Sequence, residues 1–267
     1  MQVSINSFAY AATIYLPLKL RNWSAKAFGF LTSSDLPSVA LCRLFKGKFL
    51  VGKLPDGNVL YYPLDDLKIL EIIAEVYKDK IYDIDKIESF KQVLDVGSHI
   101  GLFTLRVSKL ASRSKITAIE ANKVNFEFLQ KNIAANNLSE RTILKNVASG
   151  NRNGKITLWV GKFSRGDSSI KRSIANSNEC MAVNVFPLDD LLNHETWDLI
   201  KIDVEGAEAD TLKGLKKTAH KTHLIAMELH KSLVAASEVE QLLAEYDFTI
   251  LVNRPIYENC AFLVAER

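Results

Sequence analysis

The segment from Asp95 to Gly101 has the residue types of a nucleotide-binding turn. It follows an apolar run and precedes a helical pattern, and its glycines, Gly97 and Gly101, stand four residues apart. His99 occupies the place where a dinucleotide-binding loop has the glycine that lets the backbone approach a pyrophosphate. A loop without that glycine, and with Asp95 just ahead of it, favours a nucleoside ligand that carries no phosphate. S-adenosylmethionine is the common ligand of this kind, because its sulfonium and ammonium groups favour nearby carboxylates.

Glu120 ends the next predicted strand, Lys115–Glu120. It lies about 20 residues after the glycine loop, where α/β domains place an acid that hydrogen-bonds the ribose hydroxyls of a nucleoside. The alternative interpretation is an ordinary strand-end acid that contacts water. The ribose interpretation is preferred because the loop and the acid occur together at the expected spacing.

A second group of carboxylates lies in the run from Lys201 to Glu208, which follows a buried apolar strand. Asp203 and Glu205 are two residues apart, so both side chains can face the same side of the strand end. The alternative is that these acids stabilise the N-terminus of the following helix, a role that suits Glu208 better than Asp203. The residues predicted to bind the cofactor are Asp95, Gly97, Ser98, His99, Gly101, Glu120, Ala121 and Asp203.

Glu228 and His230 end a further predicted strand and can transfer protons. The carboxyl ends of parallel strands share one edge of a sheet, so these side chains should converge on the glycine loop. A hydroxyl is a poor nucleophile, and a general base near it would help methyl transfer. We predict that Asp203 contacts either the methionine end of the cofactor or the acceptor, and that Glu228 or His230 is the general base. Glu205 and His99 are further candidates, and a capping or loop role is the alternative for His230.

The same residues could also support a reaction that a metal ion assists. Asp203, Glu205 and Glu228 could hold a divalent cation, because hard cations prefer oxygen ligands. Nothing in their spacing requires a cation, so no metal ligand is predicted. Loss of activity with EDTA and recovery with magnesium would establish this metal-assisted variant.

The elements that position these residues alternate between strands and helices from Lys91 onward. This alternation predicts a mostly parallel sheet, and the last two strands, which have no helix between them, must pair antiparallel. The predicted fold class is therefore α/β: a Rossmann-like class I methyltransferase sheet with an antiparallel final strand. Further predictions are a hairpin around Pro55–Asn58, a polar loop over 161–180 that is either a lid or a plain surface loop, and a final turn at Asn253–Pro255. Residues 1–90 are predicted to form a small α+β extension and residues 91–267 the cofactor-binding domain.

About half of the chain, from Val93 to Leu229, resembles the FkbM-type methyltransferases. This resemblance implies an S-adenosylmethionine-dependent enzyme of a family associated with O-methylation of sugar and polyketide hydroxyls. The family usually has Ala-Asn where this chain has Ser98-His99. The most specific matching stretch is Lys201–Glu208, and the others are Leu94–Gly101, Ile119–Asn122, Leu129–Asn136, Val185–Leu191 and Met227–His230.

Composition limits the partners and the compartment. The formal net charge of +3 is mild and does not demand a nucleic-acid partner. Cys42, Cys180 and Cys260 form no CxxC pair, which makes a structural zinc site unlikely and fits a reducing, cytoplasmic compartment. The apolar run over residues 8–18 is shorter than the roughly 20 residues of a membrane-spanning helix. It is either a packing or homodimer element or, with Trp23 and nearby basic residues, a peripheral membrane contact through residues 8–23.

These observations lead to one preferred function and two alternatives. The preferred function is S-adenosylmethionine-dependent O-methylation of a hydroxyl on a sugar, a glycan or another small molecule. Methylation of RNA or protein is the first alternative. The charge balance argues against RNA, and the Asn/Asp-Pro-Pro-aromatic run that grips a flipped adenine is absent. A non-catalytic domain that binds the cofactor or serves as a scaffold is the second alternative.

Overall fold

A computed structural model describes residues 49–267 apart from 64, 65, 67, 80, 83, 86, 162, 163, 172–174, 177 and 193–195. Its centre is a seven-stranded sheet in the order β11-β12-β10-β9-β3-β4-β5. Strand β12 runs antiparallel to both of its neighbours, β10 and β11, whereas the other pairs are parallel. The strands are β3 (Gln92–Val96), β4 (Lys115–Ile119), β5 (Thr142–Lys145), β9 (Trp197–Ile202), β10 (Thr222–His230), β11 (Thr249–Tyr257) and β12 (Cys260–Glu266). The predicted α/β sheet with an antiparallel final strand is confirmed.

Helices cover both faces of this sheet, and the central strands are apolar on both faces for that reason. Val93 and Leu199 belong to the hydrophobic cluster on one face, and Leu94 and Ile200 belong to the cluster on the other. All four side chains are fully buried. The helices are α1 (Ile69–Tyr77), α2 (Leu102–Leu110), α3 (Lys123–Ala135), α4 (Leu188–Leu191), α5 (Glu208–Lys213), α6 (Lys216–Ala219) and α7 (Ala236–Glu245).

The described part of the predicted extension consists of the hairpin β1 (Phe49–Lys53) and β2 (Val59–Pro63), followed by α1. The strands pair antiparallel across the predicted turn at Pro55–Asn58. Leu60 and Ile73 of this region lie in the same hydrophobic cluster as Phe103 of α2 and Leu129 of α3. The hairpin and α1 therefore pack directly on the helices that follow the glycine loop and Glu120.

Two asparagines of α3 bond the outer edge of β2 as a further strand would. The Asn132 amide accepts from Tyr61 N at 2.6 Å and donates to Tyr61 O at 3.0 Å. The Asn136 amide makes the equivalent pair with Val59, at 2.8 and 2.7 Å. Asn132 also donates to Ile100 O at 2.8 Å, at the end of the glycine loop. The extension is therefore held in register with the loop.

We expect Asn132→Ala to lower the free energy of unfolding by about 2 kcal/mol, because it leaves buried backbone groups without partners. Denaturation by urea would measure this loss. Asn151→Ala is the matched control, since Asn151 makes a hydrogen bond of 2.9 Å to Asp210 in an exposed position. Equal, small losses in the two variants would contradict the anchoring role of Asn132.

Several element boundaries differ from the predictions. A small separate sheet has the order β6-β8-β7, made of Ala148–Ser149, Cys180–Phe186 and Gly154–Trp159; the sequence predicts a strand at Lys155–Val160 but not this sheet. The sequence over 207–217 favours one helix, but the structure has two, α5 and α6, which are separated at Gly214, where a Cβ would lie 1.9 Å from the Gly150 carbonyl oxygen. The final turn lies between Tyr257 and Cys260 instead of at Asn253–Pro255. Pro255 is tolerated within β11 because β11 is an edge strand.

No helix among the described residues is long and apolar enough to cross a membrane. The apolar run within residues 8–23 lies outside the described residues, as do Phe163 and Arg172 of the polar loop. The described part of that loop contains a 3-10 turn, Arg165–Asp167.

Candidate active site

The carboxyl ends of β3, β4, β9 and β10 surround a cavity of about 880 Å³. Helix α1 of the extension and Gly166–Ser168 of the polar loop form other parts of its wall. Asp95 and Gly101 are not among the described residues that line it. The predicted site residues on the cavity wall are Gly97, Ser98, His99, Glu120, Ala121, Asp203, Glu205, Glu228 and His230.

The glycine loop is tied to the strands on both sides of β3. Gly97 N and Ser98 N donate to Ile119 O of β4, at 2.9 and 3.0 Å. Gly97 has a φ of +79°, and a Cβ there would lie 1.7 Å from the carbonyl oxygen of Asp203. Only glycine fits this contact, which brings the loop against the backbone of the second acidic segment.

Beneath the loop, Asp95 and Lys201 form a buried ion pair. The Lys201 ammonium lies 3.3 Å from Asp95 Oδ1 and 3.4 Å from Asp203 Oδ2, and it donates to Gly97 O at 2.8 Å. Asp95 also accepts from Thr104 Oγ1 at 2.6 Å. Burial acts to lower the pKa of Lys201, but the charges of Asp95 and Asp203 outweigh this effect and raise it, so the ammonium stays charged. Asp95 thus supports the loop from below.

Glu120 is 7% exposed and lies at the cavity wall directly after β4. Its two carboxylate oxygens accept from His99 N and Asn122 N, both at 2.8 Å. Burial is the main reason that the pKa of Glu120 is raised. Asn122 in turn caps α3, because its side chain accepts from Val124 N at 3.0 Å. The position is the one expected for an acid that bonds ribose hydroxyls.

His99 connects the glycine loop to the extension. Its φ of +51° lies in the left-handed region, and its Nε2 is 3.4 Å from Oδ2 of the buried Asp66. The ring also lines the cavity. His99 is therefore both a packing residue of the loop, through Asp66, and a wall residue of the site.

Glu228 faces the cavity from the end of β10. Its Oε1 accepts a hydrogen bond from the phenol of Tyr82, and its Oε2 lies 4.0 Å from Cys260 Sγ. Burial and the nearby charge of Asp203 raise the pKa of Glu228 to about 7. A carboxylate with this pKa can accept a proton near neutral pH and release it again.

His230 is held between two carboxylates. Its Nδ1 lies 2.7 Å from Glu208 Oε1, and its Nε2 lies 3.4 Å from Glu205 Oε2. Burial acts to lower the pKa of His230, but hydrogen bonds with Cys260 and Glu208 and the charge of Glu205 raise it well above its usual range. The ring is therefore protonated near neutral pH and has no free nitrogen to accept a proton. Of the two bases predicted from the sequence, this arrangement favours Glu228.

Two groups of side chains could each offer three metal-ligand atoms that lie within 4.8 Å of one another. The first group is Asp203, Glu205 and His230, and the second is Glu228, His230 and Cys260. Both groups include His230, whereas the metal variant weighed from the sequence consisted of Asp203, Glu205 and Glu228. The donor types suit a divalent cation, although the ion pairs of His230 already balance the charges of two carboxylates.

The wall residues that were not predicted from the sequence include Glu75 of α1, Tyr82 and Lys201. Burial, together with the charges of Glu228 and Asp203, raises the pKa of Glu75 to about 8. Lys201 could have been recognised, because it lies in the same acidic run as Asp203. Glu75 and Tyr82 are in the extension and carry no motif.

Comparisons with known proteins agree with this architecture. "Methyltransferase 1" of Beauveria bassiana is 27% identical over 222 residues, which cover 75% of this chain and 89% of that protein. "Methyltransferase sdnD" of Sordaria araneosa is 25% identical over 226 residues, which cover 73% of this chain and 87% of that protein.

The crystal structure of methyltransferase FkbM from Methylobacillus flagellatus superposes with a TM-score of 0.50 at 14% identity. The match covers 75% of this chain and 53% of that one, so this chain spans about half of the length of that protein. At this identity the match shows the fold alone, and it confirms the Rossmann-like class I methyltransferase sheet. The profile described as "Methyltransferase FkbM domain" matches residues 95–250. Because this match covers more than half of the sequence, the chain belongs to the FkbM methyltransferase family.

Proposed function

We propose that the protein transfers a methyl group from S-adenosylmethionine to a hydroxyl of a sugar, a glycan or another small molecule. The observation that carries the proposal is Glu228, a carboxylate with a pKa of about 7 in the same cavity as the glycine loop and Glu120. One cavity thus contains Glu120, at the position expected for an acid that bonds ribose, and Glu228, whose pKa lies near neutrality. A general base assists methyl transfer to a hydroxyl, because a hydroxyl is a poor nucleophile.

The residues around the glycine loop suit S-adenosylmethionine. Glu120 would bond the ribose hydroxyls, and the backbone of Gly97 to His99 together with Asp203 would hold the methionine end. Apolar wall residues that include Ala121 and Val147 would contact the adenine ring of the cofactor. When bound, this cofactor supplies a methyl carbon activated by its sulfonium sulfur.

The protein's own contribution to the reaction is orientation and proton removal. Glu228 accepts the proton of the acceptor hydroxyl as the oxygen attacks. His230 remains protonated between Glu205 and Glu208 and holds Glu205 in place.

Charge on the cavity wall favours an acceptor that is not a polyanion. Among the described wall residues, eight are carboxylates and two are lysines, and both lysines are paired with acids. Because both of these lysines are ion-paired, neither is free to bind the phosphates of a nucleic-acid backbone. Three of these acids lie on α1 or just after it, where they would face the acceptor: Glu71, Glu75 and Asp79.

Calorimetry and a labelling experiment test the proposal. We expect the protein to bind S-adenosylmethionine and S-adenosylhomocysteine in preference to NAD, and to transfer radiolabelled methyl groups into a glycan or small-molecule fraction of a cell extract. A preference for NAD would overturn the proposal. Label in RNA or protein would favour the first alternative, and tight cofactor binding without transfer to any fraction would favour a non-catalytic domain.

The reaction should depend on pH through Glu228. We expect kcat/KM to increase with pH and to level off above about 7, because the base acts only in its ionised form. A pH profile with the acceptor fraction at limiting concentration measures this. A profile that is flat from about pH 5 to 8 would contradict the role of Glu228.

A further inference from the structure

Tyr82 reaches the cavity from the segment between α1 and β3, in the predicted extension. The residue is 5% exposed. Its ring packs edge-on against Phe103 of α2, with centroids 5.1 Å apart, and against Phe262 of β12, with centroids 5.6 Å apart. The phenol donates its proton to Oε1 of Glu228. A side chain clamped in this way holds its hydroxyl at one place.

The hydrogen bond distinguishes the two oxygens of Glu228. Oε1 is occupied by Tyr82, whereas the neighbour of Oε2 is the thiol of Cys260 at 4.0 Å, a weak donor at a long distance. Oε2 is therefore the oxygen that can meet an acceptor hydroxyl. The titratable groups that face Glu228 come from α1, β9 and its following loop, β10 and β12: Glu75, Lys201, Asp203, Glu205, His230 and Cys260.

We propose that Tyr82 is a positioning residue that anchors Glu228 through Oε1, so that Oε2 takes the acceptor proton and the extension completes the active site. The proposal rests on the methyl-transfer function proposed above. As the acceptor oxygen forms its bond to the methyl carbon, its proton passes to Oε2 and the sulfur keeps the electron pair of the broken C–S bond. Tyr82 keeps its own proton throughout.

The test is Tyr82→Phe, which preserves the ring contacts and removes the hydroxyl. In protein labelled with ¹³C at the glutamate carboxyls, the signal lost in Glu228→Gln identifies Glu228. We expect this signal to titrate near pH 7 in the wild type and at higher pH in Tyr82→Phe, because the lost donor stabilised the ionised form. Methyl transfer to the acceptor fraction should fall roughly 10- to 100-fold, the range for one hydrogen bond to a charged group. Calorimetric affinity for S-adenosylmethionine should stay within about twofold, since Tyr82 is not assigned to cofactor binding.

Tyr77→Phe is the matched control. Tyr77 is also a buried phenol of the extension, and it donates to Asp56 Oδ2 at 3.0 Å. It does not line the cavity in the described structure. Its replacement should therefore reduce stability without moving the Glu228 titration or the rate.

An unchanged Glu228 titration and an unchanged rate in Tyr82→Phe would overturn the proposal. If that variant does not fold, the same contact can be tested at Tyr82 itself, in wild-type protein labelled with ¹³C at the tyrosine Cζ. The Tyr82 signal should shift as Glu228 ionises, and this shift should disappear in Glu228→Gln; a Tyr82 signal indifferent to pH near 7 would contradict the proposal. Failure of the methyl-transfer function itself would appear as a wild-type protein that binds no S-adenosylmethionine, while both titrations remain measurable.

Discussion

Glu228→Gln should lower the rate of methyl transfer by about 10²- to 10⁴-fold, the usual contribution of a general base. Glutamine has a similar shape and can still accept from the Tyr82 phenol through its amide oxygen, but it cannot take a proton from the acceptor. The affinity for S-adenosylmethionine should change little, because the cofactor is assigned to the loop and Glu120. Single-turnover rates and calorimetry on the same preparation separate the two effects.

The control for this variant is Glu266→Gln on the neighbouring strand β12, where the carboxylate lies 3.4 Å from His223 at the surface. Its rate should equal that of the wild type. A Glu228→Gln enzyme that retains more than about a tenth of the activity would contradict the assignment of Glu228 as the base and direct attention to Asp203 or Glu205.

Lys201→Met should lower the free energy of unfolding by about 3–5 kcal/mol, because it leaves a buried carboxylate without its counter-charge. Asp95 is fully buried, and Lys201 is 3% exposed. The variant also removes the donor to Gly97 O. The glycine loop should therefore become less ordered, and the affinity of the protein for S-adenosylmethionine should fall. Urea denaturation measures the first effect and calorimetry the second.

Two further variants define what the Lys201 result means. Adding Asp95→Asn to Lys201→Met should recover part of the lost stability, since the unpaired charge is then gone. Lys213→Met breaks an exposed ion pair with Glu238, whose atoms are 2.6 Å apart, and should cost at most about 1 kcal/mol. A loss in Lys201→Met no larger than that in Lys213→Met would show that the buried pair does not stabilise the fold.

Much of the fold was predictable, because the signals for it are local. Strands such as β3 and β9 are apolar runs that end in glycine or acidic residues, and the absence of a helix between β11 and β12 required antiparallel pairing. Strand β8 was missed because its sequence, Cys180–Phe186, follows a polar stretch and buries little of its surface. The final turn was misplaced because Pro255 usually ends a strand but is allowed at an edge.

By itself, the sequence determined which strand ends meet at the cavity. The carboxyl ends of parallel strands share one edge, so Glu120, Asp203 and Glu228 had to converge once their strands were recognised. Only the tertiary structure decided that Asp95 lies under the loop, that His230 is locked in ion pairs, and that Tyr82 orients Glu228. These contacts join side chains distant in the chain, as with the 146 residues that separate Tyr82 from Glu228. No local pattern encodes them: the contacts of Asp95 and His230 join different strand ends and loops of the sheet, and that of Tyr82 arises from the packing of the extension onto the sheet.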